Sequence, residues 1–205
     1  MTGPDGTVSA LLREHPRTYA EIWGINLSRP AASSLFQLLC GALLSSARIR
    51  SSVATEAVKG LRAARWTTPG RLRQSTWERR VSVLHEAGYT RYQERTATIL
   101  GEAADLLMDR YRGDLRRLRE EAGKDPEKER RLLQEIPGVG RVGADIFLRE
   151  VQAAWPEVHP YADRRALAAA RKRGLPGSTR ELARLVDRKD FPHLVAALVQ
   201  SDLGD

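Results

Sequence analysis

The sequence predicts an all-α protein, and three observations support that prediction. Apolar residues recur at intervals of three and four over most of the 205 residues, which is the spacing of one helix face. The alternation of apolar and polar residues that marks a half-buried strand is almost absent. Proline and glycine stand where the periodic runs stop. A chain of this length can bury one sizeable core or two small interlocked ones.

Helix starts and stops can be followed along the first half of the chain. A first helix is predicted over 8–14, before Pro16. The next, 35–45, is apolar nearly all round, as expected inside a core, and Ser33 or Ser34 can cap it. The remaining predicted helices are 53–63, one from Pro69 after the cap residue Thr68, 77–86 before Gly88, and 91–111 before Gly113.

The second half contains a charged connector and then a short break between two helices. A helix is predicted over 115–121, the connector over 124–129, and the break over 136–140, with the sequence Ile-Pro-Gly-Val-Gly. Apolar residues on both sides would let the flanking helices pack together as a helix-hairpin-helix; an ordinary tight connection is the alternative. The last predicted helices are 164–173, 179–186 and 193–201.

Charge and composition narrow the choice of partner. The 34 basic against 26 acidic residues give a net charge of +8, which favours an acidic polymer or a membrane surface, although an arginine-rich soluble surface is the plainer alternative. No apolar run reaches the roughly 20 residues that span a bilayer, and the first 14 residues lack a signal-peptide core. We therefore expect a cytoplasmic protein with no membrane partner. The single cysteine, Cys40, cannot form an intrachain disulfide or a multi-thiolate metal site.

The hairpin and a nearby carboxylate form the most informative constellation. Backbone N–H groups of the hairpin, together with the positive end of the following helix, predict a seat for an anion, for which phosphate is the leading candidate. Asp163 opens another helix about twenty residues later. A purely structural role as the N-cap of this helix would explain an aspartate at position 163. The same residue could also be a catalytic carboxylate, which the helix N-terminus would keep ionised.

Three segments carry a resemblance to a known family. They are 133–141 with Trp155-Pro156 and Asp163, then Phe36 to Ser45, and Gly88-Tyr89 before the long helix. Together, and in their order along the chain, they resemble the helix-hairpin-helix (HhH-GPD) DNA glycosylases related to endonuclease III. The resemblance implies two helical lobes, 27–125 and 1–26 with 126–205, and a cleft between them. It also implies a monomer, associated with a bacterial or archaeal nucleoid, that flips a damaged or mismatched base out of double-stranded DNA and cuts its N-glycosidic bond.

The resemblance also implies roles for individual residues. Asp163 would be the catalytic carboxylate, and the carbonyls of Gln134, Ile136 and Val139 would hold a structural Na⁺ or K⁺. The expected DNA-binding residues are Pro137, Gly138, Val139, Gly140, Arg141, Val142 and Gly143 at the hairpin, Ser46, Ala47 and Arg48 at the turn that enters DNA, and Arg164. His159 and Tyr161 could line the base pocket, with packing or loop capping as the alternative.

Departures from the family sharpen the expected chemistry. Relatives that also cleave the strand carry a lysine nucleophile where this chain has Val142, and valine cannot form a Schiff base. A monofunctional glycosylase is therefore expected, with a non-catalytic DNA-structure-binding protein as the alternative. No cysteine follows Cys40, so no iron-sulfur cluster and no required cofactor are expected. Ala47 stands where endonuclease III has a gap-filling glutamine, which leaves Arg48 or Ile49 as the candidate wedge, with a different way of handling the orphan base as the alternative.

Overall fold

The computed structural model describes residues 4–204, and these residues form helices and connecting loops without a strand. The helices are α1 (Pro4–Glu14), α2 (Tyr19–Ile22), α3 (Ala32–Ser45), α4 (Ser51–Ala63), α5 (Pro69–Arg73), α6 (Trp77–Glu86), α7 (Gln93–Tyr111), α8 (Leu115–Glu121), α9 (Pro126–Gln134), α10 (Arg141–Val151), α11 (Arg164–Lys172), α12 (Thr179–Leu182) and α13 (Phe191–Leu203). A 3₁₀ turn, Ala183–Leu185, follows α12. The all-α prediction is confirmed.

Most predicted helices are present, and the differences have local causes. Helix α3 begins at Ala32, so Ser33 and Ser34 lie inside its first turn, and its N-cap Ala31 forms no side-chain cap. The predicted connector 124–129 is wrong from Pro126 onward. Asp125 caps α9 by accepting hydrogen bonds from two amides of the first turn, and Pro126 takes the first helical position, so charged residues form the outer face of a helix.

Helix α3 lies at the centre of the molecule because nearly every side of it is apolar. Residues 35, 36, 38–40 and 42–44 are all buried. Gly41 lets the ring of Trp23 lie directly against the helix, since a Cβ at this position would overlap that ring. Helix α3 packs against α4 on one side and α10 on another. It therefore joins the two groups of helices that make up the chain.

The contacts divide around α3 in a pattern that resembles the predicted lobes. Among helices α4 to α7, α4 packs against α6, and α5 and α6 both pack against α7, whereas α13 packs against α1, α10 and α11. The segment before residue 27 joins the second group through hydrogen bonds from Ala20 N to Glu150 Oε2 (2.9 Å) and from Gln200 Nε2 to Arg17 O (2.7 Å). The boundary residues of the two lobes stay a prediction. Within residues 4–204, no helix combines the length and apolar character needed to cross a bilayer.

Candidate active site

The hairpin between α9 and α10 is a tight reversal of the chain, and apolar contacts on its buried side hold it in place. Ile136 and Val139 are buried, and the Val139 amide donates to the Ile136 carbonyl at 3.0 Å. Gly138 has a φ of +79°, and a Cβ there would overlap the Ile99 side chain. Both the backbone conformation and the close approach therefore require glycine at 138.

The second hairpin glycine, Gly140, differs from Gly138 because no side chain packs closely against it. Gly140 is the N-cap of α10 and forms no side-chain cap, and a Cβ at this position would meet open space. The first amides of an α-helix have no partner within the helix. They open here onto a surface where Arg141 is exposed and Val142 is 57% exposed. The predicted anion seat is thus accessible from solvent.

A cavity of about 530 Å³ lies beside the start of α10. Its wall combines residues that are far apart in the sequence. Its lining residues include Tyr19, Ala47, Val142, Asp145, Arg149 and Asp163. The structure therefore brings together the predicted carboxylate, one end of the hairpin helix and the turn after α3. Within residues 4–204, no three His, Cys, Asp or Glu side chains are grouped in a way that could hold a metal ion.

Asp163 is both an N-cap and a wall residue of this cavity. Its Oδ1 accepts a hydrogen bond from the Ala166 amide at 2.8 Å, which caps α11. Its Oδ2 accepts from Arg149 Nη1 at 2.7 Å, in an ion pair whose side chains are 4% and 6% exposed. The carboxylate is therefore held at both oxygens, with an amide at one end and a guanidinium at the other.

Arg149 is a site residue that the sequence did not single out. It lies on α10 and also contacts Glu150 at 3.3 Å, and its guanidinium stacks 5.3 Å from the centre of the Tyr19 ring. Burial lowers the pKa of Arg149, but the charges of Asp163 and Glu150 outweigh it and raise that pKa. The only signal in the sequence is one arginine within the apolar stretch of α10, seven residues after Val142 and so on the same helix face.

Asp145 is a second carboxylate in the wall, one turn after Val142. Tyr161 donates its hydroxyl to Asp145 Oδ1 at 2.6 Å, and Arg130 approaches the same oxygen at 3.3 Å. Arg130 also donates to the Tyr161 hydroxyl at 2.7 Å. The Gln152 side chain fixes the Tyr161 backbone through its amide and its carbonyl, at 2.9 Å each.

Burial, together with the neighbouring carboxylate of Asp145, raises the pKa of Tyr161 far above its usual value. The phenol therefore stays protonated and acts as a donor to Asp145.

The structure places the two predicted pocket residues outside the cavity wall. Tyr161 touches the cavity only through Asp145. His159 packs edge-on against Phe191, with ring centres 5.4 Å apart, and precedes a cis peptide bond to Pro160. Burial lowers the pKa of His159, which favours its neutral form.

The turn after α3 separates the cavity from two shallower ones. Ala47 lines the first cavity and also a third of about 320 Å³, where Ser46, Arg95 and Gly138 are found. Arg48 lines that third cavity and a second one of about 950 Å³. Arg164 lies in the wall of the first cavity. The hairpin, the turn and several arginines thus share one face of the molecule.

Comparison with solved structures identifies the architecture. A non-covalent endonuclease III–DNA complex aligns with a TM-score of 0.58 and 16% identity, over 94% of this chain and 81% of that one. A trapped covalent endonuclease III–DNA intermediate, an estranged-adenine complex, aligns with a TM-score of 0.54 and 15% identity over the same shares. The chain has the endonuclease III fold. No protein-family model matches the sequence, and no curated protein does.

Within the endonuclease III fold, this chain surrounds its acid in a way that the sequence motifs do not specify. The hairpin motif and Asp163 come from local sequence, whereas the ion pair with Arg149 joins α10 to the start of α11. Val142 lies at the open edge of the same cavity. These positions define the chemistry available to the site.

Proposed function

We propose that this protein is a monofunctional DNA glycosylase, which flips a damaged or mismatched base into the 530 Å³ cavity and hydrolyses its N-glycosidic bond. The observation that carries the proposal is Asp163, an anchored carboxylate in the wall of a cavity that opens beside a solvent-facing helix-hairpin-helix. The endonuclease III fold supports it. A base must leave the stack before a protein group can reach its sugar carbon.

The hairpin would bind the DNA backbone. The unpartnered amides at the start of α10 offer hydrogen bonds to one phosphate, and the helix N-terminus adds a partial positive charge. Exposed Arg141 extends this positive surface, and Arg48 adds to it across the turn after α3. Contacts of this kind fix the register of a protein on DNA without reading sequence.

Asp163 would stabilise the sugar as it becomes an oxocarbenium-like cation. Asp163 accepts hydrogen bonds at both oxygens, from the Arg149 guanidinium and from the Ala166 amide, and a carboxylate at this position can serve that role. The carboxylate is held in place at both ends, so little reorganisation is needed as charge develops. Each oxygen keeps a second lone pair, with which it can orient the attacking water.

Val142 would limit the reaction to base release. Its side chain stands 57% exposed at the cavity edge and carries no amine. Without a nucleophilic amine, the opened sugar cannot form the Schiff base that leads to strand cleavage.

A monovalent cation at the hairpin is part of the proposal. The expected ligands, the carbonyls of Gln134, Ile136 and Val139, are uncharged oxygens on a tight turn, which suits Na⁺ or K⁺. The Ile136 carbonyl accepts one hydrogen bond, from Val139, and retains a second lone pair. Such an ion would rigidify the turn that presents the amides.

Replacement of the acid tests the chemistry. We expect Asp163→Asn to lower single-turnover base release by on the order of 1,000-fold, because the neutral amide no longer stabilises the cation. Release would be scored as alkali-labile sites across a panel of duplexes bearing alkylated, oxidised, deaminated or mismatched bases. Asp109→Asn is the matched control, because Asp109 is an exposed carboxylate paired with Arg73. Base release by Asp163→Asn at the wild-type rate would contradict the assignment.

The alternative is a DNA-structure-binding protein without catalysis. The specific observation behind it is the occupation of both Asp163 oxygens by Ala166 and Arg149. Tight binding of wild-type protein to abasic or mismatched duplexes, with no base released from any member of the panel, would favour this alternative.

A substitution at the hairpin tests DNA anchoring separately. Gly140→Asp places a carboxylate at an open N-cap position, where it accepts the amides that a phosphate would need. We expect an unchanged or higher melting temperature and a DNA affinity lowered about tenfold or more, with a weaker salt dependence. Ala31→Asp is the matched control, because it adds the same charge at the uncapped start of α3, at the opposite end of that helix from Ser46. Equal affinity losses in both variants would contradict the phosphate seat.

A further inference from the structure

Asp145 is a hydrogen-bond acceptor in the cavity wall, and it has no role in the proposed reaction. Its side chain is 16% exposed, and it lies between Val142 and Arg149 on the face of α10 that lines the cavity. Oδ1 is occupied by the Tyr161 hydroxyl and approached by Arg130. Oδ2 forms no hydrogen bond with another described residue and is not among the buried atoms that lack a partner. Oδ2 therefore remains available to accept a hydrogen bond, on a residue that lines the cavity.

The surroundings of Asp145 suit hydrogen-bond acceptance. Oδ1 is already engaged by two donors, which leaves Oδ2 to accept a hydrogen bond from a ligand. Those donors are themselves fixed, since Gln152 holds the Tyr161 backbone and the Arg130 guanidinium lies 5.7 Å from the centre of the Tyr161 ring. The position of Asp145 is thus set before any ligand arrives, as expected of a recognition residue.

The two carboxylates of the wall are not equivalent toward a base. Asp163 has a partner at each oxygen, whereas Asp145 keeps one oxygen open. A carboxylate accepts hydrogen bonds only, so it binds an N–H group and repels a carbonyl oxygen. An exocyclic amino group supplies N–H donors, and the keto group that replaces it in a deaminated base supplies an acceptor.

Building on the proposed glycosylase function, we propose that Asp145 is a specificity-determining residue that accepts a hydrogen bond from the exocyclic amino group of the flipped base. The substrates are then amino-bearing bases of the adenine or cytosine type, in damaged or mispaired form, and their keto counterparts are rejected. Tyr161 acts as a positioning residue, because it touches the cavity only through Asp145. This assignment excludes deaminated bases as the preferred substrates.

The test compares each amino base with its keto counterpart, which carries a carbonyl oxygen in place of the amino group and a proton on the adjacent ring nitrogen. Duplexes would carry adenine or hypoxanthine, and cytosine or uracil, each opposite a tetrahydrofuran abasic analogue so that no base-pair strength differs. The 2′-fluoroarabino nucleotides resist cleavage and allow affinity to be measured on the same panel. We expect wild-type protein to favour the amino member of each pair, and Asp145→Asn to reduce the ratio about 10- to 100-fold, since hydrogen bonds to charged groups are the stronger ones.

Two further variants complete the test. Tyr161→Phe removes the hydroxyl that orients Asp145 and should lower the ratio by a smaller factor, while Asp109→Asn should leave it unchanged. The wild-type ratio is itself a test that does not depend on how any variant folds. A wild-type preference for the keto member, or an unchanged ratio in folded Asp145→Asn, would overturn the inference.

The same data separate the inference from the proposed function. Absence of base release, together with an Asp145-dependent preference in binding, would support recognition by Asp145 and contradict the glycosylase. Base release with no dependence on Asp145 would support the glycosylase and contradict recognition by Asp145.

Discussion

Asp163 and Asp145 face one cavity but are held in different ways. Asp163 is locked at both oxygens, by the Ala166 amide and by the fully buried Arg149. Asp145 is held at one oxygen by Tyr161 and a half-buried Arg130, and its other oxygen forms no hydrogen bond with a described residue. The first arrangement keeps a charge fixed in a nearly closed place. The second presents a charge to whatever enters the cavity.

The difference separates two tasks that one acid could not do equally well. A group that stabilises a developing cation acts through its field, so complete anchoring does not reduce its effect. A group that selects a ligand must keep an acceptor open. In the proposed glycosylase, two carboxylates with different partners would therefore allow chemistry and recognition to be changed independently.

The largest effect expected is a new reaction at Val142, at the edge of the cavity that Asp163 and Asp145 line. Val142→Lys places an amine at the cavity edge, where it can attack the opened sugar and form a Schiff base. Borohydride should then trap a covalent adduct with abasic DNA that wild-type protein does not form. Val142→Met, of similar length and without an amine, is the control. Tight binding of abasic DNA by Val142→Lys without any adduct would place residue 142 away from the reacting sugar.

Replacement of the arginine beside each acid should lower the stability of the protein by different amounts. Arg149→Met leaves Asp163 and Glu150 buried without their partner and should lower the free energy of unfolding by about 3–5 kcal/mol. Arg130→Met removes a half-buried cation from Asp145 and should cost about 1 kcal/mol or less. Urea unfolding followed by circular dichroism would measure both. Similar losses in the two variants would mean that the acids are not held differently.

Loss of the tyrosine hydroxyl should have a smaller effect. Tyr161→Phe removes one donor to Asp145 but leaves Arg130, so the expected loss in the free energy of unfolding is about 1–2 kcal/mol. Tyr92→Phe is the matched control, because the Tyr92 hydroxyl forms no hydrogen bond with another described residue. The idea that Tyr161 positions Asp145 fails if the two variants unfold at the same urea concentration.

Glu129 extends the comparison to a carboxylate with no cationic partner of its own. It is fully buried in α9, and no donor group of the described residues reaches either of its carboxylate oxygens. Burial, then the nearby charge of Glu157, raises the pKa of Glu129 to about 7. A proton on Glu129 lets it donate to Glu157, whose own pKa is lowered: burial opposes this, but the ion pair with Arg119 outweighs it.

The last expected effect is a pH dependence of stability that comes from Glu129. Its pKa rises from 4.5 in the unfolded chain to about 7 in the fold. The folded state therefore binds more protons in this interval, and the free energy of unfolding should fall as pH rises through it. Glu129→Gln should flatten the profile between pH 4.5 and 7, and exposed Glu127→Gln should leave it unchanged. Equal slopes in wild-type protein and Glu129→Gln would contradict the raised pKa of Glu129.

Features set by neighbouring residues could be predicted from the sequence. The ends of α6, the cap at Thr68, the glycine at 138 and the capping role of Asp163 all depend on backbone geometry within a few positions. Predictions that needed partners from elsewhere did less well. His159 and Tyr161 are close to Asp163 in sequence, but packing on Phe191 and hydrogen bonding to Asp145 keep both out of the cavity wall.

The sequence by itself determined the helical class, the break at the hairpin and the acid at the start of α11, because helix periodicity, caps and glycine turns are local properties of the chain. Only the tertiary structure decided the environment of that acid. The packing of α10 against α3 and the return of the chain from α10 to Asp163 bring Arg149, Asp145 and Ala47 to one cavity. Charge partners buried in such a wall are fixed by long-range packing, which local sequence patterns do not encode.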